Sequence, residues 1–139
     1  MKRSSWLLFA LMIILNLFSS NAAQAAITVS NVAVSFGNDA DGNGIYNRGD
    51  TMTITCVAFF TAPTTAWTLQ PTADLTSIGM GFANMTANGN VWTANVPLAN
   101  FNQAVQYGQY NINVSAQGDD TAMVTAPSNP DPFVDICQV

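Results

Sequence analysis

The stretch TMTITCVAFF, Thr51 to Phe60, decides the fold. Met52, Ile54, Cys56, Ala58 and Phe60 fall on one face, while Thr51, Thr53 and Thr55 fall on the other. A period of two is that of a half-buried β-strand, and the β-branched threonines suit its wet face. The same alternation places Cys56 in the core.

Working outward, a second clear strand holds Tyr110, Ile112, Val114 and Ala116 inward and Asn111, Asn113 and Ser115 outward, and Gly118, Asp119 and Asp120 end it. Upstream of Thr51, Ile27 and Val29 alternate with small or polar residues. The pattern resumes one residue out of phase at Val32, Val34 and Phe36. One added residue near Asn31 makes a β-bulge, or lets a first strand switch sheets partway along.

Downstream, Trp67 and Leu69 form a short strand. The stretch PTADLTSIGMGFANM, with Leu75, Ile78, Phe82 and Met85 apolar and glycines at 79 and 81, is expected to bend. Asn88-Gly89-Asn90 makes a tight turn into a strand whose Trp92, Ala94 and Val96 share a face, and the Asn-Gly pair suits a type I′ hairpin turn. Met123 and Val124, a proline-rich crossing from Pro127 to Pro132 and a last strand from Phe133 to Val139 complete the chain.

No stretch carries ten residues of helical periodicity. Glutamate is absent and leucine is scarce after residue 25, while threonine, valine and asparagine are plentiful. About seven short strands at this spacing predict an all-β protein of two antiparallel sheets, since a lone sheet would leave its apolar face in water.

The first 25 residues read as a secretory signal peptide. Lys2 and Arg3 precede an apolar stretch from Trp6 to Phe18, broken only by Asn16, and Ala23-Gln24-Ala25 fits the small-x-small cleavage pattern before Ala26. That stretch is well short of the roughly 20 residues a membrane helix needs. Removing 25 of 139 residues leaves 114, so residues 26–139 are expected to form one exported domain, secreted or at the cell surface, with no membrane insertion after cleavage.

Cleavage also removes two of the three basic residues. Arg48 then stands alone against eight aspartates, a net charge of 1 − 8 = −7. Such a surface repels nucleic acid and offers no lysine or arginine set to neutralise phosphates. Histidine is absent, so no imidazole base or ligand exists, and the remaining carboxylates, amides and hydroxyls form an oxygen-donor set. Two aspartates facing each other across a cleft could divide acid and base roles, but no spacing in the chain points to such a pair, and an enzyme is not expected.

The most specific motif is DADGNGIYNRGD, Asp39 to Asp50. Asp39, Asp41 and Asn43 take positions 1, 3 and 5 of a twelve-residue calcium loop, and Gly44 takes position 6. Ile45 offers its carbonyl at 7, Asn47 stands at 9, and Asp50 closes at 12. Alternating donors let a loop wrap a hard cation with six to eight oxygens at about 2.4 Å. The closing residue is Asp rather than Glu, and strands flank the loop instead of helices. Calcium is therefore expected to staple the end of the first strand to the start of the second. A metal-free loop rich in Asx turns has the same composition. Asp74, Asp119, Asp120, Asp131 and Asp135 show no ligand spacing.

In an oxidising compartment Cys56 and Cys137 are expected to pair, closing about 80 residues of chain for a stabilisation of order 4 kcal/mol. Two free buried thiols, or an intermolecular bond from Cys137, are the alternatives. Trp67, Trp92, Tyr107 and Tyr110 read as core and strand-edge aromatics, with a carbohydrate-stacking patch as the other possibility. Asn84-Met85-Thr86 and Asn113-Val114-Ser115 are sequons.

Five segments taken in order carry a family likeness: VSFGNDADGNGIYNRGDTMTIT (34–55), ADLTSIG (73–79), NGNVWTANVPL (88–98), YGQYNINVSAQGDDTA (107–122) and DPFVDI (131–136). Together they resemble the immunoglobulin-like modules repeated in large bacterial surface adhesins and other exported bacterial proteins. The resemblance implies an immunoglobulin-like β-sandwich, often stiffened by calcium, that serves as spacer or attachment unit and is not catalytic. Within it Asp39, Asp41, Asn43 and Asp50 match the acidic loop, Asp74 the aspartate of the middle motif and Asp119 the aspartate after the penultimate strand. The chain departs in being one module behind its own signal, with two cysteines. The expected function is an exported structural or adhesive protein, with a filament subunit joined by strand addition as one form of it. Its partner would be a second copy or another cell-surface protein. A small secreted binding module for glycans or a surface protein is the alternative.

Overall fold

The computed structural model describes residues 25–38, 42, 45, 49–98 and 105–136. The signal segment, apart from Ala25, and Cys137 lie outside the described residues. The strands are β1 (Ala26–Asn38), β2 (Thr51–Thr61), β3 (Trp67–Asp74), β4 (Phe82–Asn84), β5 (Thr86–Asn88) and β6 (Val91–Pro97). They continue with β7 (Val105–Gln109), β8 (Asn113–Gly118), β9 (Val124–Pro127) and β10 (Phe133–Ile136).

One sheet runs β1-β2-β6-β5, the other β4-β3-β8-β9, and β10 pairs with β7. All pairings are antiparallel. β7 and β8 are one line of chain interrupted at residues 110–112, and β9 and β10 another interrupted at 128–132. With those two joins the order is that of an immunoglobulin-like sandwich, four strands in each sheet. The extra strand beyond the expected seven or so comes from the crossing segment, which splits at Met85 into β4 in one sheet and β5 in the other.

The core lies between the sheets. From β2 come Met52, Ile54, Cys56 and Ala58, from β6 Trp92, Ala94 and Val96, and opposite them Ala73, Ile112, Val114 and Ala116, all buried. At about 25 cal/mol per Å² of apolar surface removed from water, this layer supplies the main favourable contribution to folding. The two strands whose alternation is clearest in the sequence thus supply much of both inner faces.

The phase slip near Asn31 is a bulge. Ser30 pairs with Val57 and Ala33 with Thr55, so Asn31 and Val32 together stand opposite Cys56. Asn31 has φ of +51°, a left-handed conformation that asparagine tolerates better than most residues. The extra residue turns Val32 into the core, and its carbonyl oxygen accepts a hydrogen bond from Asn129 N at 3.0 Å.

Three details differ from the sequence expectation. β3 is longer than Trp67 and Leu69 suggest and runs through Pro71. The ladder to β8 is irregular between Leu69 and Thr72, where the missing proline N–H is tolerated. The bend at 76–78 is a 3-10 turn closed by Gly79, and beyond it Phe82 points outward while Leu75, Ile78 and Met85 are buried. The β5–β6 turn places its positive φ on Gly89, first of the two residues between the paired Asn88 and Val91, and Asn90 has none. That is the φ pattern of a II′ turn rather than I′.

The bond expected between Cys56 and Cys137 is not seen. Cys56 carries a free, buried thiol whose Sγ donates to Met85 Sδ at 3.9 Å.

Candidate functional site

The loop of residues 39–50 connects β1 to β2, whose last rung pairs Asn38 with Thr51. The first and twelfth loop positions therefore flank that rung in the chain. Asp39, Asp41, Asn43 and Asn47 lie outside the described residues. Gly42 and Gly49 have φ of +69° and +99°, open to glycine and strained for other residues, and Ile45 sits half-buried at a bend.

Asp50 is 1% exposed at the foot of the loop, where its carbonyl oxygen accepts from Leu98 N at 2.8 Å. That bond fixes its backbone to the end of β6. A carboxylate removed from water to this degree is compensated by hydrogen bonds or a cation. Its chemistry fits a hard cation, since carboxylate oxygen is what calcium prefers. Among the described residues no group of three or more carboxylate, thiol or imidazole side chains comes together as a metal site.

Four of the other aspartates hold loops. Asp119 Oδ1 accepts from Thr65 N at 3.2 Å and its Oδ2 from Thr65 Oγ1 at 2.7 Å, and its own amide donates to Ala66 O. Asp120 Oδ1 accepts from the buried Thr64 Oγ1 at 2.6 Å. Together they tie the β8–β9 turn to the β2–β3 loop. Asp74 Oδ1 accepts from Thr76 N at 2.9 Å and Thr76 Oγ1 at 2.6 Å, fixing the start of the 3-10 turn. Asp131 Oδ1 accepts from Ser128 Oγ at 2.7 Å and Asn111 Nδ2 at 3.0 Å, and Ser128 Oγ in turn accepts from Ile112 N. This last network bridges the interruption between β7 and β8 and that between β9 and β10. The side chain of Asp135 lies outside the described residues.

These bonds have electrostatic consequences. The hydroxyl and amide of Thr76 hold the Asp74 carboxyl below its usual range, and those of Thr65 do the same for Asp119. Burial pushes the Cys56 thiol up to about 11, so it is inert as a nucleophile at neutral pH.

The aromatic residues separate into two groups. Trp67 meets Phe60 and Trp92 edge-on, with ring centroids 5.1 Å and 5.8 Å away, and Trp92 Nε1 donates to Ala58 O at 3.1 Å. A hollow of about 210 Å³ opens beside them, lined also by Gly89 and Asn90. Tyr107 instead stacks on Phe133 at 5.9 Å, and Tyr110 Oη donates to Gln106 O. The four aromatics named from the sequence therefore do not make one patch. Sequence reading also missed Phe82 and Phe133 as exposed rings. For Phe133 the signal was present, since it alternates with the buried Val134.

No protein-family model, curated protein or solved structure matches the chain.

Proposed function

We propose that the protein is an exported structural or adhesive module, sent out by the signal segment 1–25 and stiffened by calcium held in the loop 39–50. Asp39, Asp41, Asn43, Asn47 and Asp50 would hold the ion with side-chain oxygens and Ile45 with its carbonyl. The observation that carries the reading is Asp50, a buried carboxylate at the foot of the twelve-residue β1–β2 connection, fixed to the end of β6. A cation held there would tie the hairpin's mouth to its neighbouring strand.

The contacts of Asp74, Asp119, Asp120 and Asp131 support a structural reading, because each accepts hydrogen bonds from hydroxyls or amides of neighbouring loops. The sheet edges bear on how such a module meets a partner. β4 and β5 have three residues each, and Pro127 ends β9. The bulge of β1 and the link after β9 bond to each other through Val32 and Asn129. Short, bulged and proline-bearing edges resist strand addition. Attachment through a sheet face is therefore the favoured mode, with a cell-surface component as partner.

Calorimetry with calcium and with chelator tests the calcium reading. A midpoint that rises with calcium in the wild type and fails to rise in Asp50→Asn supports it, and an unchanged wild-type midpoint at millimolar calcium overturns it.

A further inference from the structure

Five large hydrophobic side chains are exposed among the described residues: Phe82 (72%), Tyr107 (59%), Met123 (59%), Val91 (46%) and Phe133 (42%). Val91 belongs to β6, in the sheet that β1 edges. Phe82 lies in β4 of the opposite sheet, Tyr107 and Phe133 lie in its β7–β10 extension, and Met123 immediately precedes β9. Along the β7–β8 line the alternation survives the interruption: Gln109 and Asn111 are exposed, Tyr110 packs against the core, and Ile112 and Val114 are buried. Tyr107 and Ser115 are in phase with Gln109 and Asn111, so they share the outer face. On the neighbouring line Val134 is buried, so Phe133 faces out beside Tyr107, on which it stacks with planes 21° apart.

Two features result on one surface. At one end lies the Tyr107–Phe133 stack. Nearer the other, Leu69, Phe82 and Met123 line a mainly apolar groove of about 450 Å³ with Thr72, Asp74 and Ser115 at its polar side. The eight residue steps from Tyr107 to Ser115 span at most roughly 26 Å at about 3.3 Å per residue. Between them stand Gln109, Asn111 and Asn113, primary amides that both donate and accept.

Charge selects among ligands. The described residues contain no lysine or arginine, and the ionised groups on this face are carboxylates, Asp74 and Asp131. Their first oxygens are already engaged by Thr76, Ser128 and Asn111. Anionic polymers and anionic lipid surfaces are repelled. A ligand matching the remaining chemistry is neutral and extended, with apolar C–H faces for the rings and hydroxyls for the amides. We infer that the outer face of β4-β3-β8-β9, with β7 and β10, is a binding surface for a neutral polysaccharide. The inference rests on the reading of the protein as an adhesive module and supplies its attachment surface, without depending on calcium.

The test is retention of the purified protein by insoluble cellulose and its retardation in gels containing soluble β-glucan, xylan, mannan or starch, with polygalacturonate as the anionic control. Retention by a neutral member of the panel that persists in 0.5 M salt is expected. Tyr107→Ala, Phe133→Ala and Phe82→Ala should each weaken it about tenfold, the effect of a lost ring contact of ordinary strength, while Val91→Ala should leave it unchanged. All four side chains are exposed, so melting midpoints should stay near wild type and separate binding loss from unfolding. Absence of retention by every neutral polysaccharide overturns the proposal, as does equal weakening by Val91→Ala. Concentration-dependent dimerisation lost in Phe82→Ala, with no glycan retention, would assign the face to a second copy instead. Any of these failures leaves the calcium-dependent midpoint as a separate result.

Discussion

The backbone amide of Asn129 donates to the carbonyl oxygen of Val32 at 3.0 Å, joining the bulge of β1 to the link between β9 and β10. The bond exists because Asn31, at φ +51°, turns the chain so that Val32 faces the other sheet. Asn31→Val forces a β-branched residue into the left-handed region and should cost about 1–3 kcal/mol in urea denaturation. Asn31→Gly should stay within about 1 kcal/mol of wild type, since glycine accepts the conformation at an entropic penalty. Equal stability of the valine variant would show that the bulge does not depend on this conformation.

Calcium at a hundredfold excess over its Kd should add about 2.7 kcal/mol if it binds only the folded chain. For a domain of this size the midpoint then rises by about ten degrees. Asp39→Asn and Asp50→Asn should abolish most of that increment. Asp131→Asn should keep the increment even if it lowers the baseline, because Asp131 serves Ser128 and Asn111. Scanning calorimetry of the three variants with calcium and with chelator separates the two effects.

Gly118 ends β8 where a side chain has no room. A Cβ there would stand 2.5 Å from Thr64 Cγ2 and 3.1 Å from Ile27 Cδ1. Thr64 is held in place by its bond to Asp120, so Gly118→Ala should destabilise by about 1–3 kcal/mol through overpacking. Thr64→Ser removes the offending methyl and keeps the hydroxyl, so the double variant should recover part of the loss. Additive costs in a double-mutant cycle would rule out this contact as the cause.

The Cys56 thiol packs against Met85 and has its pKa raised to about 11 by burial. Native protein should react with iodoacetamide at Cys56 far more slowly than protein in urea, read by peptide mass. A raised folded pKa gives stability that is complete below the unfolded thiol value and is lost as pH climbs through the folded one. Stability should therefore fall between roughly pH 9 and pH 11, and Cys56→Ala should remove that part of the alkaline decline. A peptide linking Cys56 to Cys137, two protons lighter, would instead establish the disulfide.

Acid should act in the opposite direction. Thr76 and Thr65 hold Asp74 and Asp119 below the ordinary carboxylate value of 3.8. A depressed folded pKa contributes stability above the unfolded value and loses it as pH falls through the folded one, so the loss should begin below about pH 4. Thr65→Val and Thr76→Val should each bring the matching carboxyl back toward its ordinary titration, followed by carbon NMR. Unaltered titration in both variants would assign the depression to something other than these bonds.

Local pattern determined the layers. The period-two runs at 51–60 and 110–116 fixed which side chains meet in the core, because strand periodicity is a property of the chain itself, whereas the phase slip near Asn31 allowed a bulge or a switch of sheets and only the pairing with β2 made it a bulge. The twelve-residue spacing of oxygen donors at 39–50 is also a local pattern, and calcium as its occupant is a proposal. What only the tertiary structure decided is what lies across from what. No spacing shows that Asp119 and Asp120 serve Thr65 and Thr64, more than fifty residues away, nor that Met85 is the neighbour of Cys56. Phe82 follows Leu75 and Ile78 as an apolar residue like them, yet the turn at Gly79 and the pairing of β4 with β3 send it to the outer face. Whether an apolar ring is core or surface depends on which face its strand presents after the turn, and that is fixed by pairing between distant segments.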